Sequence, residues 1–295
     1  MDYRKNKRRE EKKLVALLSV IAAVFLTGFK LLVGLLTGSL GIISEALHSG
    51  LDLVAAAITY ISVRVSDKPA DFDHHYGHGK IENLSAFIET ILLFITCGWI
   101  IYEAVSRLAT GKFEIEVNLW SYIVVVSSII IDFTRSRALY RAAKKHNSQA
   151  LEADALHFST DIWSSAVVLL GILCAQFGFH IADPIAALGV AVIVLAVSFR
   201  LGKRAVDILM DKSPKDTRDK VNSILAGIEG ILRYHALKIR TAGPYTFIEL
   251  NIHVDPKLTI DEAHELSHKV ENEIKNNIGE CEIHIHAEPE KEDVD

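Results

Sequence analysis

From about residue 14 to about residue 210 the chain is dominated by apolar runs of membrane-crossing length, and this patterning constrains the fold more than any other feature. A helix that crosses the hydrocarbon core needs roughly 20 predominantly apolar residues. Six segments qualify: about Leu14–Leu36, Leu40–Val63, Leu84–Leu108, Leu119–Thr134, Ala150–Phe177 and Pro184–Leu209. The fourth has no clear N-terminal boundary. The fifth is unusual because its first half carries Glu152, Asp154, His157 and Asp161. Lysine and arginine concentrate in alternate connections. They occur in the N-terminal arm, at Arg64, Lys68 and Lys80, from Arg135 to Lys145, and at Arg200, Lys203 and Arg204. The other connections carry only Arg107 and Lys112, or none. Basic connections stay on the cytoplasmic side, so six helices place both termini there.

Residues 1–13 form a dense basic arm. The apolar stretch after it is too long for a signal-peptide core and has no small-residue cleavage site, so the arm is expected to be a solvated cytoplasmic segment attracted to anionic lipid. The net charge of -5 argues against nucleic acid as a partner. The three cysteines, Cys97, Cys174 and Cys281, form no CxxC pair and no disulfide framework. Any metal here is expected on His, Asp and Glu.

The patterning changes after about Asp211. Asp216–Gly227 reads as a helix, and Ala236–Thr241 and Thr246–Val254 as strands around an Ala-Gly-Pro turn. Thr259–Ile278 reads as an amphipathic helix with Thr259 as its N-cap, and Cys281–His286 as a last strand. This order fits a small α+β domain over residues 211–290, with helices on one face of a short sheet. Residues 291–295 close the chain as an acidic tail.

The sharpest chemical signal is a repeated spacing. His48 and Asp52 are four apart in the second helix, and His157 and Asp161 are four apart in the fifth. Residues at i and i+4 share a helix face. Two such helices side by side would aim two imidazoles and two carboxylates at one point, a set that Zn²⁺ accepts as a tetrahedron. A lone histidine in an apolar helix is more often packed and hydrogen-bonded than a ligand. Ionisable groups at membrane depth, however, cost roughly 2.5–3.5 kcal/mol each and usually mark a substrate path. The same groups bind metal only when deprotonated, so metal and protons compete for them, and exchange of the two across the membrane follows if the helices alternate between two openings.

Two further clusters hold most of the remaining histidines. One is the loop from Asp71 to Lys80, with Asp71, Asp73, His74, His75 and His78 around Gly77 and Gly79. The other lies in the C-terminal domain: His235 and His253 on strands, His264 and His268 on one helix face, His284 and His286 on one strand face, and Glu288 beyond. Lys30, Glu45, Glu89, Glu103 and Asp132 are expected to snorkel, to pair or to sit near helix ends. Glu45 is close enough in sequence to His48 to join the first site but is expected to stand apart from it.

At these motifs the chain resembles the cation diffusion facilitator family over about residues 14–290. The segments that carry the resemblance are Ser44 to Asp52, Pro69 to Lys80 with Tyr76-Gly77-His78-Gly79-Lys80, and Ala153 to Asp161. The resemblance implies a membrane domain of six transmembrane helices, a C-terminal cytoplasmic α+β domain of ferredoxin-like fold, and a homodimer. It implies that His48, Asp52, His157 and Asp161 form the transport site and that Asp71, His74 and His78 form a loop site. It further implies that His235, His264, His286 and Glu288 belong to a dinuclear site at the dimer interface, and that Lys80 and Asp211 match an interlocking salt bridge at the dimer centre. The chain departs from the family at Asn251, a ligand position, where His253 two residues on keeps the same strand face. The last ligand is Glu288 rather than Asp. Histidine at position 48 looks like the zinc-preferring pattern, with cobalt, cadmium and ferrous iron as secondary cargo. Manganese-carrying members place carboxylates on the second helix.

Three rival readings remain: a manganese or iron exporter of the same fold, a membrane metallohydrolase, and a non-transporting metal sensor. The hydrolase reading needs an open coordination position and a general base, for which Glu45 is the sole candidate. The intact quartet disfavours the sensor. Compact loops and short termini fit a prokaryotic inner membrane.

Overall fold

The computed structural model describes residues 2–38, 40–111, 119–176, 181–279 and 281–290, in two compact units that divide between Val206 and Asp207. The acidic tail 291–295 lies outside the described residues.

All six expected long helices form: α1 (Asp2–Thr37), α2 (Leu40–Ser66), α3 (Lys80–Thr110), α4 (Leu119–His146), α5 (Gln149–Gln176) and α6 (Ala182–Leu209). Among the described residues, α1, α2, α3 and α6 are long and apolar enough to cross a membrane. The charged residues Asp132 to Lys145 on α4, and Glu152, Asp154, His157 and Asp161 on α5, lower the apolar content of these two helices. The interior between α1, α2, α4 and α5 is built mainly from small residues: Ala16, Ala23, Ala56, Ala143, Ala150 and Ala155, closed by Leu139, Leu151 and Phe158. Small side chains let helix backbones approach closely, which is how helices associate where no water drives them together. Gly202 of α6 shows the same economy, because a Cβ there would meet Cγ2 of Thr90 on α3 at 2.6 Å. Large apolar side chains such as Phe25, Leu32, Leu36 and Ile193 point outward, as a lipid-facing surface requires.

Two expectations are corrected. The basic arm is not separate from the first helix; it forms the opening turns of α1, with Asn6, Lys7 and Glu10 exposed. Lys12 within it is fully buried, its Nζ donating to Asp67 Oδ1 at 2.7 Å and to Glu82 Oε1 at 2.9 Å. A buried ammonium is tolerated when carboxylates pair with it, and these two come from the end of α2 and the start of α3. The Ser148 hydroxyl, just before α5, donates to the other oxygen of Glu82, and the Ser66 hydroxyl donates to Oε1 at 3.0 Å. One charge network therefore ties four helices together at this end of the bundle. Likewise, the basic run Arg135–Lys145 is not a connection but the last turns of α4, which continues to His146.

The C-terminal unit folds in the order α7 (Lys215–Leu225), β1 (Arg233–Ala242), β2 (Tyr245–Val254), α8 (Ile260–Ile278) and β3 (Cys281–Pro289). The sheet order is β1-β2-β3, with an antiparallel and then a parallel pair. Ile248, Leu250 and Ile252 alternate along β2 into a core with Val221, Leu225, Val270 and Ile274 of the two helices. Thr259 caps α8 as expected. Its hydroxyl accepts from the Glu262 N–H while the Glu262 side chain accepts from the Thr259 N–H. The last strand runs past His286 to Pro289, so Glu288 is a strand residue paired with His253.

Candidate metal centre

The first site is set by the four-residue spacing on α2 and α5. His48 and Asp52 occupy one face of α2, and His157 and Asp161 one face of α5. His48, Asp52 and Asp161 offer ligand atoms within 4.8 Å of one another, a group that does not include His157; His157 Nε2 is 3.1 Å from Asp52 Oδ1 and 3.9 Å from Asp161 Oδ2, and His48 Nε2 is 3.8 Å from Asp161 Oδ1. Ligand atoms bound tetrahedrally to one zinc ion sit about 3.3 Å apart, and these three separations lie on either side of that value. Asp52, His157 and Asp161 are buried, and His48, Asp52 and Asp161 line a cleft of about 650 Å³.

Charged groups around this cleft escaped the sequence reading as a set. Lys30 of α1 is buried and donates to Ser49 Oγ at 2.8 Å and to Glu45 Oε2 at 3.2 Å. Glu45 thus stands with Lys30, apart from the quartet. Asp132 of α4 also lines the cleft and pairs with Arg135 at 3.1 Å. Arg135 in turn donates to Ser19 and lies 3.5 Å over the Phe158 ring, and Ser19 donates to Asp154 one turn before His157. The polar interruptions of these helices were visible in sequence; their mutual pairing was not. The cleft continues past Trp99 and Glu103 toward Arg107, near the end of α3. The Lys12 network lies at the opposite end of α3, where that helix begins.

The second cluster is the exposed loop after α2. Asp71 Oδ1 accepts from the backbone N–H of His74 at 2.7 Å and of Asp73 at 3.1 Å, while Oδ2 lies 3.3 Å from His78 Nε2. The His74 backbone N–H, more than any other group, holds the Asp71 carboxyl below its ordinary range. Gly77 makes the turn possible with φ of 71°, a left-handed value that side chains resist. Asp71, His74 and His78 thus present ligand atoms within 4.8 Å of one another.

The third cluster lies on the sheet. Register places His235 opposite Asn251, Asn251 opposite His286, and His253 opposite Glu288. His235, His253 and Glu288 offer ligand atoms within 4.8 Å of one another. His235 and His253 ring nitrogens are 3.0 Å apart. Asn251 instead donates to Glu288 at 2.7 Å, and His286 Nε2 lies 3.5 Å from Glu288. His264 faces its helix neighbour His268. A bulge between His235 and Lys238, with Ala236 at φ of 53°, re-aims the strand beside His235. An L-residue in that conformation costs about 1–2 kcal/mol. Ala236→Gly is therefore expected to leave the unfolding midpoint equal or higher, although glycine in an ordinary strand costs about 0.5–1 kcal/mol. A midpoint lowered by that amount contradicts the strained backbone.

Residues 16–210 match the family model described as the cation efflux transmembrane domain, and residues 213–290 match the cation efflux protein cytoplasmic domain. The cation-efflux pump FieF of Yersinia enterocolitica is 30% identical over 94% of this chain and 92% of its own length. An uncharacterized transporter of Methanocaldococcus jannaschii is 31% identical over 94% of this chain and 98% of its own. Among solved structures, the metal-bound C-terminal domain of the CzcD transporter from Thermotoga maritima matches 25% of this chain and 87% of its own length, at 33% identity and a TM-score of 0.25. Both halves of the sequence match, and the chain belongs to the cation diffusion facilitator family of cation efflux transporters.

Proposed function

We propose that this transporter exports a divalent transition metal, zinc first, in exchange for protons, with His48, Asp52, His157 and Asp161 as the transport site. The observation that carries the reading is the trio His48, Asp52 and Asp161, whose ligand atoms lie within 4.8 Å of one another, with His157 Nε2 beside it at 3.1 Å from Asp52 Oδ1. Zinc takes such a four-coordinate N/O set without geometric preference of its own. Two imidazoles make magnesium, calcium and manganese poorer fits, and a set without thiolate disfavours copper(I). Cobalt, cadmium and ferrous iron are secondary cargo.

Proton exchange follows from the ligands. They hold metal only after losing their protons, so the two cargoes exclude each other at one site. All six long helices cross the inner membrane of a prokaryotic cell, both termini face the cytoplasm, and the functional unit is a homodimer. The cleft then opens away from the cytoplasm, and the structure corresponds to the state from which metal leaves. Lys30 acts as a fixed counter-ion, offsetting the carboxylates when metal is absent and easing release by repulsion. The loop trio and the sheet trio are further metal sites, and the C-terminal domain regulates transport by binding metal better in one of two states.

Zinc flux into proteoliposomes under an imposed pH gradient tests this. The expected flux follows the gradient, reverses with its sign and exceeds that of manganese. Flux indifferent to the gradient defeats proton exchange, and manganese carried in preference to zinc overturns the cargo.

A further inference from the structure

A second cavity, of about 930 Å³, lies between α4, α5 and α6 and is lined by none of the four transport-site residues. Its lining changes character along the helices. At one end stand Arg141 of α4, Glu152 of α5 and Arg204 of α6, and one turn further in stand Arg137 and Arg200. Beyond them the walls are Phe133, Ile162, Trp163 and Val197. Arg141 and Phe133 are eight residues apart on α4, so the passage from charged to apolar spans about 12 Å. The arginine end is the end of α4 and α6 placed above at the cytoplasmic surface. Glu152 is already paired with Arg204, from α5 to α6. Arg137, Arg141 and Arg200 are exposed, and among the described residues no carboxylate lies within ion-pairing reach of them. Like charges gathered in one groove repel one another unless an anion sits among them.

We propose that this groove binds an anionic phospholipid of the cytoplasmic leaflet, its phosphate among Arg137, Arg141 and Arg200 and one acyl chain along Phe133, Trp163 and Val197. Guanidinium forks match pairs of phosphate oxygens, and basic pockets between membrane helices on the cytoplasmic side take such headgroups. The order of the lining, charge at the surface and apolar wall at depth, is the order of the lipid itself. A metal-entry vestibule is the alternative use of such a groove, and the charge opposes it. Three unpaired guanidinium groups repel a divalent cation, whereas the carboxylates Asp52 and Asp161 line the other cleft. A lipid held this way joins α6 to the α4–α5 pair. The leaflet rests on the orientation proposed above; the choice of an anionic lipid rests on the groove alone.

Native mass spectrometry of the full-length protein in detergent, titrated with phosphatidylglycerol or with phosphatidylcholine, tests this. The parent is expected to hold one phosphatidylglycerol per protomer more tightly than any phosphatidylcholine. Arg137→Gln/Arg200→Gln is expected to weaken that lipid about 30-fold, the combined effect of two basic side chains on an anionic headgroup. Both side chains are exposed, so the unfolding midpoint without added lipid should match the parent. Arg137→Lys/Arg200→Lys is expected to recover part of the affinity, because it restores the charge without the fork. Arg64→Gln, exposed in the last turn of α2 and outside the groove, should leave the affinity unchanged. The proposal fails if Arg137→Gln/Arg200→Gln keeps the parent's affinity, if Arg64→Gln weakens the lipid as much, or if phosphatidylcholine is held as tightly. It fails too if inorganic phosphate displaces the lipid, which assigns the arginines to a free anion.

Discussion

Asp52→Ala is expected to abolish gradient-driven zinc flux in proteoliposomes. Asp52 is buried, and its Oδ1 sits 3.1 Å from His157 Nε2. Removing it takes away one of four ligands and also the anion that orients His157. A charge-assisted contact contributes up to about 3 kcal/mol, and each 1.4 kcal/mol is tenfold in affinity, so binding at this site falls by about 100-fold. Asp52→Asn separates the two losses, since it keeps a hydrogen-bonding oxygen beside His157 but removes the charge. It is expected to remain as inactive as the alanine variant if charge is what holds the metal. Asp71→Ala, on the exposed loop, is expected to leave most of the flux in place. Equal loss in Asp71→Ala and Asp52→Ala contradicts the division between a transport site and an accessory one.

The second large effect is structural. Lys12→Ala leaves Asp67 and Glu82 buried with no ammonium between them. Breaking a buried pair by removing one partner costs about 3–5 kcal/mol. The thermal unfolding midpoint in detergent is expected to fall by about 10 °C, on the usual conversion of 2–4 °C per kcal/mol for a unit of this size. Glu82→Gln added to Lys12→Ala should recover part of that loss, because it removes one of the two stranded charges. The two changes are not expected to add, as befits groups in one network. A midpoint unchanged by Lys12→Ala contradicts the buried network and restores the solvated arm expected from sequence.

The contrast between Lys12 and the quartet shows what a sequence makes legible. His48, Asp52, His157 and Asp161 announce themselves because their spacing is local and repeats within two apolar helices. The burial of Lys12 has no local sign. Its partners are 55 and 70 residues away, and a basic run before a first apolar helix ordinarily reads as a solvated arm. The same holds for Arg135, whose contact with Ser19 spans 116 residues. The ends of α1 and α4 were misjudged for a related reason. Apolar content marks where a helix is greasy, whereas polar turns continue a helix wherever packing and ion pairs support them, as at Lys145 and Glu11, 2.6 Å apart. On the sheet, the strands were legible from alternation, but the approach of His253 to His235 and Glu288 depended on register and on the turn of each side chain. His264 was placed with the strand histidines by resemblance, and its approach to His268 appears only once α8 is built.

The arrangement also connects local chemistry to transport. Small residues bring α1, α2, α4 and α5 close together, and that closeness buries Asp52 and His157 in the same interior as Phe158. The cleft gives the site a route toward one end of the bundle, while the Lys12 network ties helices at the other.

The most direct measurement is an anomalous-difference map at the zinc edge from crystals of the full-length protein grown with zinc. The account predicts a peak between α2 and α5, bound by His48, Asp52, His157 and Asp161 at about 2.0–2.2 Å. Zinc peaks at the loop and sheet trios with none between α2 and α5 would contradict it.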